Sequence, residues 1–101
     1  MTAPADPADP VIKDMATSWA DFLRLLPVAL RGWPHEVAGR TVEVGTPERG
    51  VTVTVEDLPP RRIALLEVAR SRVTLSFRGL DSGERTAFLA QFDRAFQRGG
   101  G

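Results

Sequence analysis

The most distinctive chemistry in this sequence belongs to five arginines that lie close together between positions 61 and 78. Glu67 is the only acidic residue in this arginine-rich stretch, so five positive charges face one negative charge. Guanidinium groups bind carboxylates and phosphates through paired hydrogen bonds, and clustered positive charge attracts the backbone of a nucleic acid. We therefore predict an anion-binding or partner-binding surface here. Its candidate residues are Arg61, Arg62, Arg70, Arg72 and Arg78.

The second half of the stretch predicts a β-strand that presents part of this surface. Apolar and polar residues alternate from Arg72 to Arg78, so one face should be buried and the other exposed. The exposed face would carry Arg72, Thr74, Ser76 and Arg78. It has no aromatic residue to stack on a base, which gives little support for a single-strand-binding platform. The competing interpretation is a solvated sheet face whose charges discourage aggregation.

Other residues with catalytic or metal-binding chemistry are sparse. His35 is the only histidine and there is no cysteine, which excludes disulfides, thiolate metal sites and cysteine nucleophiles. Glu56 and Asp57 are neighbouring carboxylates that can hold a hard cation or divide acid and base roles. A solvated strand end accounts for the same pair without any function. We predict no catalytic residue, no metal site and no cofactor.

Composition restricts the class of partner. The chain has 101 residues, enough for one domain, with 13 basic and 13 acidic residues and a net charge of zero. Only a local patch could therefore attract nucleic acid or an anionic membrane. No apolar run approaches the roughly 20 residues that span a bilayer, and the N-terminus lacks the basic start and apolar centre of a secretory signal. We predict a cytoplasmic protein with no membrane partner.

An amphipathic helix is predicted from Asp14 to Arg31, because apolar residues recur there at spacings of three and four. The apolar stripe consists of Met15, Trp19, Phe22, Leu23, Leu26 and Leu30. Thr17 or Ser18 would cap the helix. Pro27 lacks an N–H donor and clashes with the preceding turn, so a kink or a break is expected near Leu26.

Strands follow this helix. Residues 35 to 45 predict a strand with a bulge or tight turn at Gly39, and residues 46 to 50 form a turn. Residues 51 to 56 alternate regularly and should pair with the preceding strand as a hairpin. Residues 57 to 60, which include two prolines, should close that hairpin.

The arginine-rich stretch itself allows two interpretations. The apolar pattern changes face at Leu65 and Leu66, which indicates a bulge or a strand covered on both faces. The stretch is then either one long bent strand or two strands joined by a turn between Glu67 and Arg72. We favour two strands, although this segment contains none of the Gly, Asn or Pro residues that tight hairpins usually require.

A second amphipathic helix should begin near Asp81, which together with Glu84 forms a capping box. The predicted fold is therefore a two-layer α+β domain. It comprises an antiparallel meander of three to four strands flanked by an N-terminal, proline-kinked helix and a C-terminal helix. Residues 13 to 98 form the domain, residues 1 to 12 a disordered tail and residues 99 to 101 a frayed glycine tail.

The function predicted from these features is a small non-catalytic module that binds a protein partner or forms a homo-oligomer. The sequence carries folding signals throughout and no catalytic or cofactor signature. The first alternative is a binder of an anion or a nucleic acid through the five arginines. A lower alternative is an enzyme subunit whose site is completed by a partner chain.

Overall fold

The computed structural model describes residues 10 to 98 of the chain. The predicted glycine tail and most of the predicted N-terminal tail lie outside these residues. In chain order the elements are β1 (Val11–Met15), α1 (Trp19–Ala29), β2 (His35–Ala38), β3 (Thr41–Gly45), β4 (Gly50–Ile63), β5 (Leu66–Arg78) and α2 (Ser82–Arg98).

The five strands form one antiparallel sheet in the order β1-β5-β4-β3-β2. Strands β2 to β5 are a meander, and both helices cover the same face of it, so the predicted α+β class is confirmed. The sheet has one strand more than the three or four predicted. That strand is β1, which pairs with β5 at the edge opposite β2.

Strand β1 corrects the predicted start of the first helix. The sequence pattern places Val11 and Ile12 in the tail and Met15 in the helix, yet all three belong to this strand. Met15 lies four residues before Trp19, a spacing that is typical of one face of a helix. The spacing alone therefore does not show that Met15 belongs to a strand. Because residues 11 to 15 alternate in burial and pair with Ser71 to Leu75 of β5, the sheet determines their conformation.

Helix α1 begins where Ser18 caps it, since the Asp21 N–H donates to Ser18 Oγ at 3.1 Å. The helix continues through Pro27 to Ala29 instead of breaking. Gln91 of α2 donates from Nε2 to the carbonyls of Ala29 and Arg31, at 3.0 and 2.9 Å. These bonds satisfy acceptors that a helix end leaves open, so the C-terminal end of α1 is fixed against α2.

The hairpin of β4 and β5 corrects two predicted turns. Residues 57 to 60 do not close a hairpin, because β4 continues through both prolines with a bulge between Leu58 and Arg61. The chain reverses at Ala64 and Leu65, not between Glu67 and Arg72. Ala64 has a φ of +55°, a conformation normally taken by glycine, which explains why no turn residue signals this position.

The core lies between the sheet and the helices. Its sheet side is the alternating apolar set of β3, β4 and β5, and its helix side contains four phenylalanines. These are Phe22, Phe88, Phe92 and Phe96. The ring centroids of Phe92 and Phe96 lie 4.7 Å apart, and those of Phe22 and Phe96 lie 5.0 Å apart. The aromatic layer thus joins α1 to α2 above the valines of the sheet.

We predict that Phe92→Ala lowers the free energy of unfolding by about 3–5 kcal/mol, because the ring is fully buried and its loss leaves a cavity. Urea denaturation measures the change. Arg94→Ala, on the exposed side of the same helix, is the control and should change stability by less than about 0.5 kcal/mol. Equal, small losses for both variants would contradict the assignment of Phe92 to the core.

Candidate interaction surface

The sheet face away from the helices, here called the open face, carries three of the five predicted arginines. Arg70, Arg72 and Arg78 alternate along β5 with buried residues that point to the helices. Thr74 lies on the same face in register with Thr54 of β4, which in turn pairs with Thr41 of β3. The open face is therefore polar across its centre, as a solvated sheet face requires.

Carboxylates from other strands of the sheet accompany four of the five arginines. The ion pairs are Arg70–Asp14 at 2.5 Å, Arg72–Glu56 at 3.5 Å, Arg78–Glu43 at 3.4 Å and Arg62–Glu67 at 3.7 Å. The charge balance of residues 61 to 78 included only Glu67, because the other three acidic residues lie in other segments of the sequence. Arg61 is exposed and has no ion pair among residues 10 to 98. The anion-binding role of the five arginines remains a prediction.

Arg78 is held by the turn between β3 and β4. Its guanidinium donates to the carbonyls of Val44, Thr46 and Pro47, at 3.2, 2.9 and 3.2 Å, and to Thr52 Oγ1 at 2.6 Å. These acceptors use most of its donor capacity. Arg78 therefore fixes the end of the sheet and has little capacity left for a ligand.

The remaining candidate side chains are either ion-paired, as Glu56 and Asp57 are, or exposed and distant from other candidates, as His35 is. Asp57 accepts two hydrogen bonds from Arg40, at 2.9 and 3.1 Å, and Glu56 faces Arg72, so these carboxylates are ion-paired rather than aimed at a common cation. His35 is exposed, with Nδ1 3.4 Å from the carbonyl oxygen of Trp33. Within the described part of the chain, no three acidic or histidine side chains converge as metal ligands would.

The feature that sequence reasoning missed is a projecting hairpin, here called the arm, which spans residues 57 to 70. Strand β3 pairs with β4 only as far as Thr54, and β1 pairs with β5 only from Ser71 onward. Beyond these positions the two strands of the arm pair with each other alone, and no residue of the arm is buried. The change of apolar pattern at Leu65 and Leu66 was the one available signal of this arm.

The tip of the arm is apolar. The exposed fractions are 102% for Leu65, 68% for Leu66 and 52% for Ile63. Ile63 and Leu66 are a cross-strand pair, so together with Leu65 they form one contiguous aliphatic surface. Isolated exposed aliphatic residues are common, whereas a cluster at the end of a projection is typical of an interaction site.

A shallow hollow lies at the base of the arm. It has a volume of about 270 Å³ and is lined by Ile63 and Val68 together with Asp14, Ala16, Arg61 and Arg70. The hollow thus combines aliphatic walls with the arginine that has no ion pair among the described residues.

A second cavity, of about 350 Å³, separates β1 from the helices. Lys13 and Asp93 form an ion pair at its wall, with an N–O distance of 3.0 Å. The other two charged residues of the wall, Asp14 and Asp21, form ion pairs with Arg70 and Arg24.

Comparison of the chain with protein-family models, curated protein sequences and solved structures found no match. No helix between residues 10 and 98 is long and apolar enough to cross a membrane.

The electrostatics of the arm base are measurable at Asp14. The hydrogen bond from Arg70 lowers the pKa of the Asp14 carboxyl below its usual value, and the charges of Arg70, Arg72 and Arg61 add to the effect. A carboxyl whose pKa is lower in the folded state stabilises the fold above its unfolded pKa. That contribution is lost as the pH falls through the folded pKa.

We predict that Arg70→Met raises the pKa of Asp14 toward its usual value, because the hydrogen bond and the nearest positive charge are both removed. An NMR titration of the carboxyl carbon measures this pKa in both proteins. Glu84 is the internal control: its pKa is lowered by the backbone N–H of Asp81 and by Arg49, far from the substitution, and should not change. An unchanged Asp14 pKa would contradict the contact.

We predict that Arg78→Met lowers the free energy of unfolding by about 1.5–3 kcal/mol, because several carbonyls lose a charged donor. Arg72→Met, on the same strand and face, removes only an exposed ion pair and should cost less than about 1 kcal/mol. Urea denaturation compares the two. If Arg72→Met proved the more damaging substitution, Arg78 would not be the structural arginine.

Proposed function

We propose that this chain is a small non-catalytic module that binds a protein partner through the arm. The observation that carries the proposal is the exposed aliphatic tip formed by Ile63, Leu65 and Leu66. The fold gives these side chains no internal packing role, since the arm extends past both neighbouring strands. Burial of apolar surface is the main favourable term in most protein–protein association.

The charges around the tip favour a protein over a nucleic acid. The five arginines of this region are matched by four nearby carboxylates, and Arg62 pairs with Glu67 on the arm itself. A surface with this balance has little excess charge to release counterions from a phosphate backbone. Binding of an anion or nucleic acid is therefore the second candidate. Arg61, which has no ion pair among residues 10 to 98, and Arg72, which is exposed on the open face, are the residues that test it. A cytoplasmic location remains part of the proposal.

The proposal is tested by capture from the native host with a tagged chain. The variant combines Leu65→Ser and Leu66→Ser, and we expect it to lose the partner protein while keeping the stability of the unaltered chain, since both side chains are exposed. The matched control combines Ile12→Ser and Val28→Ser, which also removes two exposed aliphatic side chains but lies outside the arm. Mass spectrometry after nuclease treatment quantifies the recovered protein.

Three outcomes separate the candidates. Recovery that resists nuclease, persists in the control and disappears in the arm variant supports the proposed function. Recovery that is equal in all three proteins would contradict it. Nuclease-sensitive recovery that survives the arm variant and is lost with Arg61→Glu and Arg72→Glu would replace it by the anion-binding alternative.

A further inference from the structure

One edge of the arm is open for strand pairing. Between Leu66 and Arg70, β5 pairs with β4 on one side, and no strand among residues 10 to 98 lies on its other side. The free edge of β4 carries Pro59 and Pro60, which cannot donate hydrogen bonds, and a bulge. The free edge of β5 contains no proline, lysine or bulge. The arm therefore has one protected edge and one that can accept another strand.

The backbone groups at this edge can be assigned from the alternation of the ladder. Val55 N–H donates to the Arg40 carbonyl on the β3 side, so the odd-numbered residues in this part of β4 face β3 and the even-numbered ones face β5. The pairs of Thr54 with Thr74 and of Leu58 with Arg70 carry this alternation into β5. Residues 67 and 69 then direct their N–H and C=O groups to the free edge.

We propose that this edge pairs antiparallel with the same edge of a second copy of the chain, about a two-fold axis at Val68. The inference rests on the proposed function and names the partner of the arm. The pairing sets Leu66 opposite Arg70 and Glu67 opposite Ala69, and it forms four main-chain hydrogen bonds. Leu65 of each copy meets the end of β1 of the other, beside the hollow at the base of the arm.

Charge and space select this register. An axis at Glu67 or at Arg70 would place identical charges directly opposite each other. An axis at Ala69 would pair Glu67 of the second copy with the edge of Ser71, which Met15 already occupies. With the axis at Val68 the paired segment ends at Arg70, one residue before Ser71. An axis at Leu66 would leave an overlap of only three residues. The register centred on Val68 uses the whole free edge and brings no like charges together.

The interface would be small. Stable protein interfaces bury roughly 1,200–2,000 Å², whereas this one consists of a five-residue strand pair and a few aliphatic side chains. We therefore expect a monomer–dimer equilibrium with a dissociation constant in the micromolar range. Self-association should be visible at high protein concentration and absent at low concentration.

The absence of cysteine from the chain allows a direct test by disulfide trapping. Opposed residues of a non-hydrogen-bonded antiparallel pair have Cα atoms about 4.5 Å apart, within the range of a disulfide. Val68→Cys should therefore cross-link two copies under mild oxidation. Ile12→Cys in β1 and Glu36→Cys in β2 are the controls, since they lie on the strands at the two sheet edges. Preferential cross-linking of either control would overturn the proposal.

Sedimentation velocity of the full chain provides the second readout. Ala69→Lys would place a positive charge opposite Glu67 of the second copy, and Ala69→Glu a negative one. Because each contact occurs twice in the dimer, we expect dissociation constants that differ by about tenfold or more between the two variants, with the lysine variant tighter. Equal constants would overturn the register.

The outcomes also separate this inference from the proposed function. A chain that remains monomeric at high concentration, with no Val68→Cys cross-link but with arm-dependent capture of another protein, would remove the second copy and leave the arm as a binding site. A monomeric chain without arm-dependent capture would overturn both. Concentration-dependent dimers that cross-link through Val68→Cys support both.

Discussion

The apolar residues of β3, β4 and β5 occupy one face of the sheet, and both helices are needed to cover it. Phe22 of α1 and Phe92 and Phe96 of α2 meet over these strands, so neither helix alone would complete the core. Gln91 further ties the C-terminal end of α1 to α2. Because the described chain has only these two helices, nothing in it covers the other face, which must therefore be compatible with water.

The polarity of the open face follows from that constraint. Threonines pair in register across three strands, and Arg72 and Arg78 form ion pairs with carboxylates from other strands of the sheet. Arg78 is also neutralised and bonded within the sheet, since its guanidinium donates to carbonyls of β3 and of the turn that joins β3 to β4. The arm differs, because the hairpin extends past β1 and β3 and yet its tip carries Ile63, Leu65 and Leu66. That conflict between an exposed position and an aliphatic composition makes the arm the best candidate for an interface.

The sequence predicted the elements whose periodicity is long and whose ends carry specific side chains. Helix α2 begins at the capping box of Asp81 and Glu84, with the expected N–H bonds at 2.8 and 3.0 Å. Gly39 forms the turn between β2 and β3, with a φ of +60°. The turn at Ala64 was not predicted, because an alanine occupies a position where glycine is usual. The prediction that Met15 belongs to the first helix was wrong for another reason, since its four-residue spacing to Trp19 is compatible with a helix.

The sequence by itself determined the α+β class, the apolar faces of residues 41–45, 51–56 and 72–78 and the absence of thiol chemistry, because these depend on local periodicity and residue type. Only the tertiary structure decided which charged side chains form ion pairs. Asp14, Glu43 and Glu56 are distant in sequence from the arginines they neutralise, and strand pairing alone brings them together. The arm was likewise decided by tertiary structure, because a hairpin becomes a projection only when its neighbouring strands end before it does.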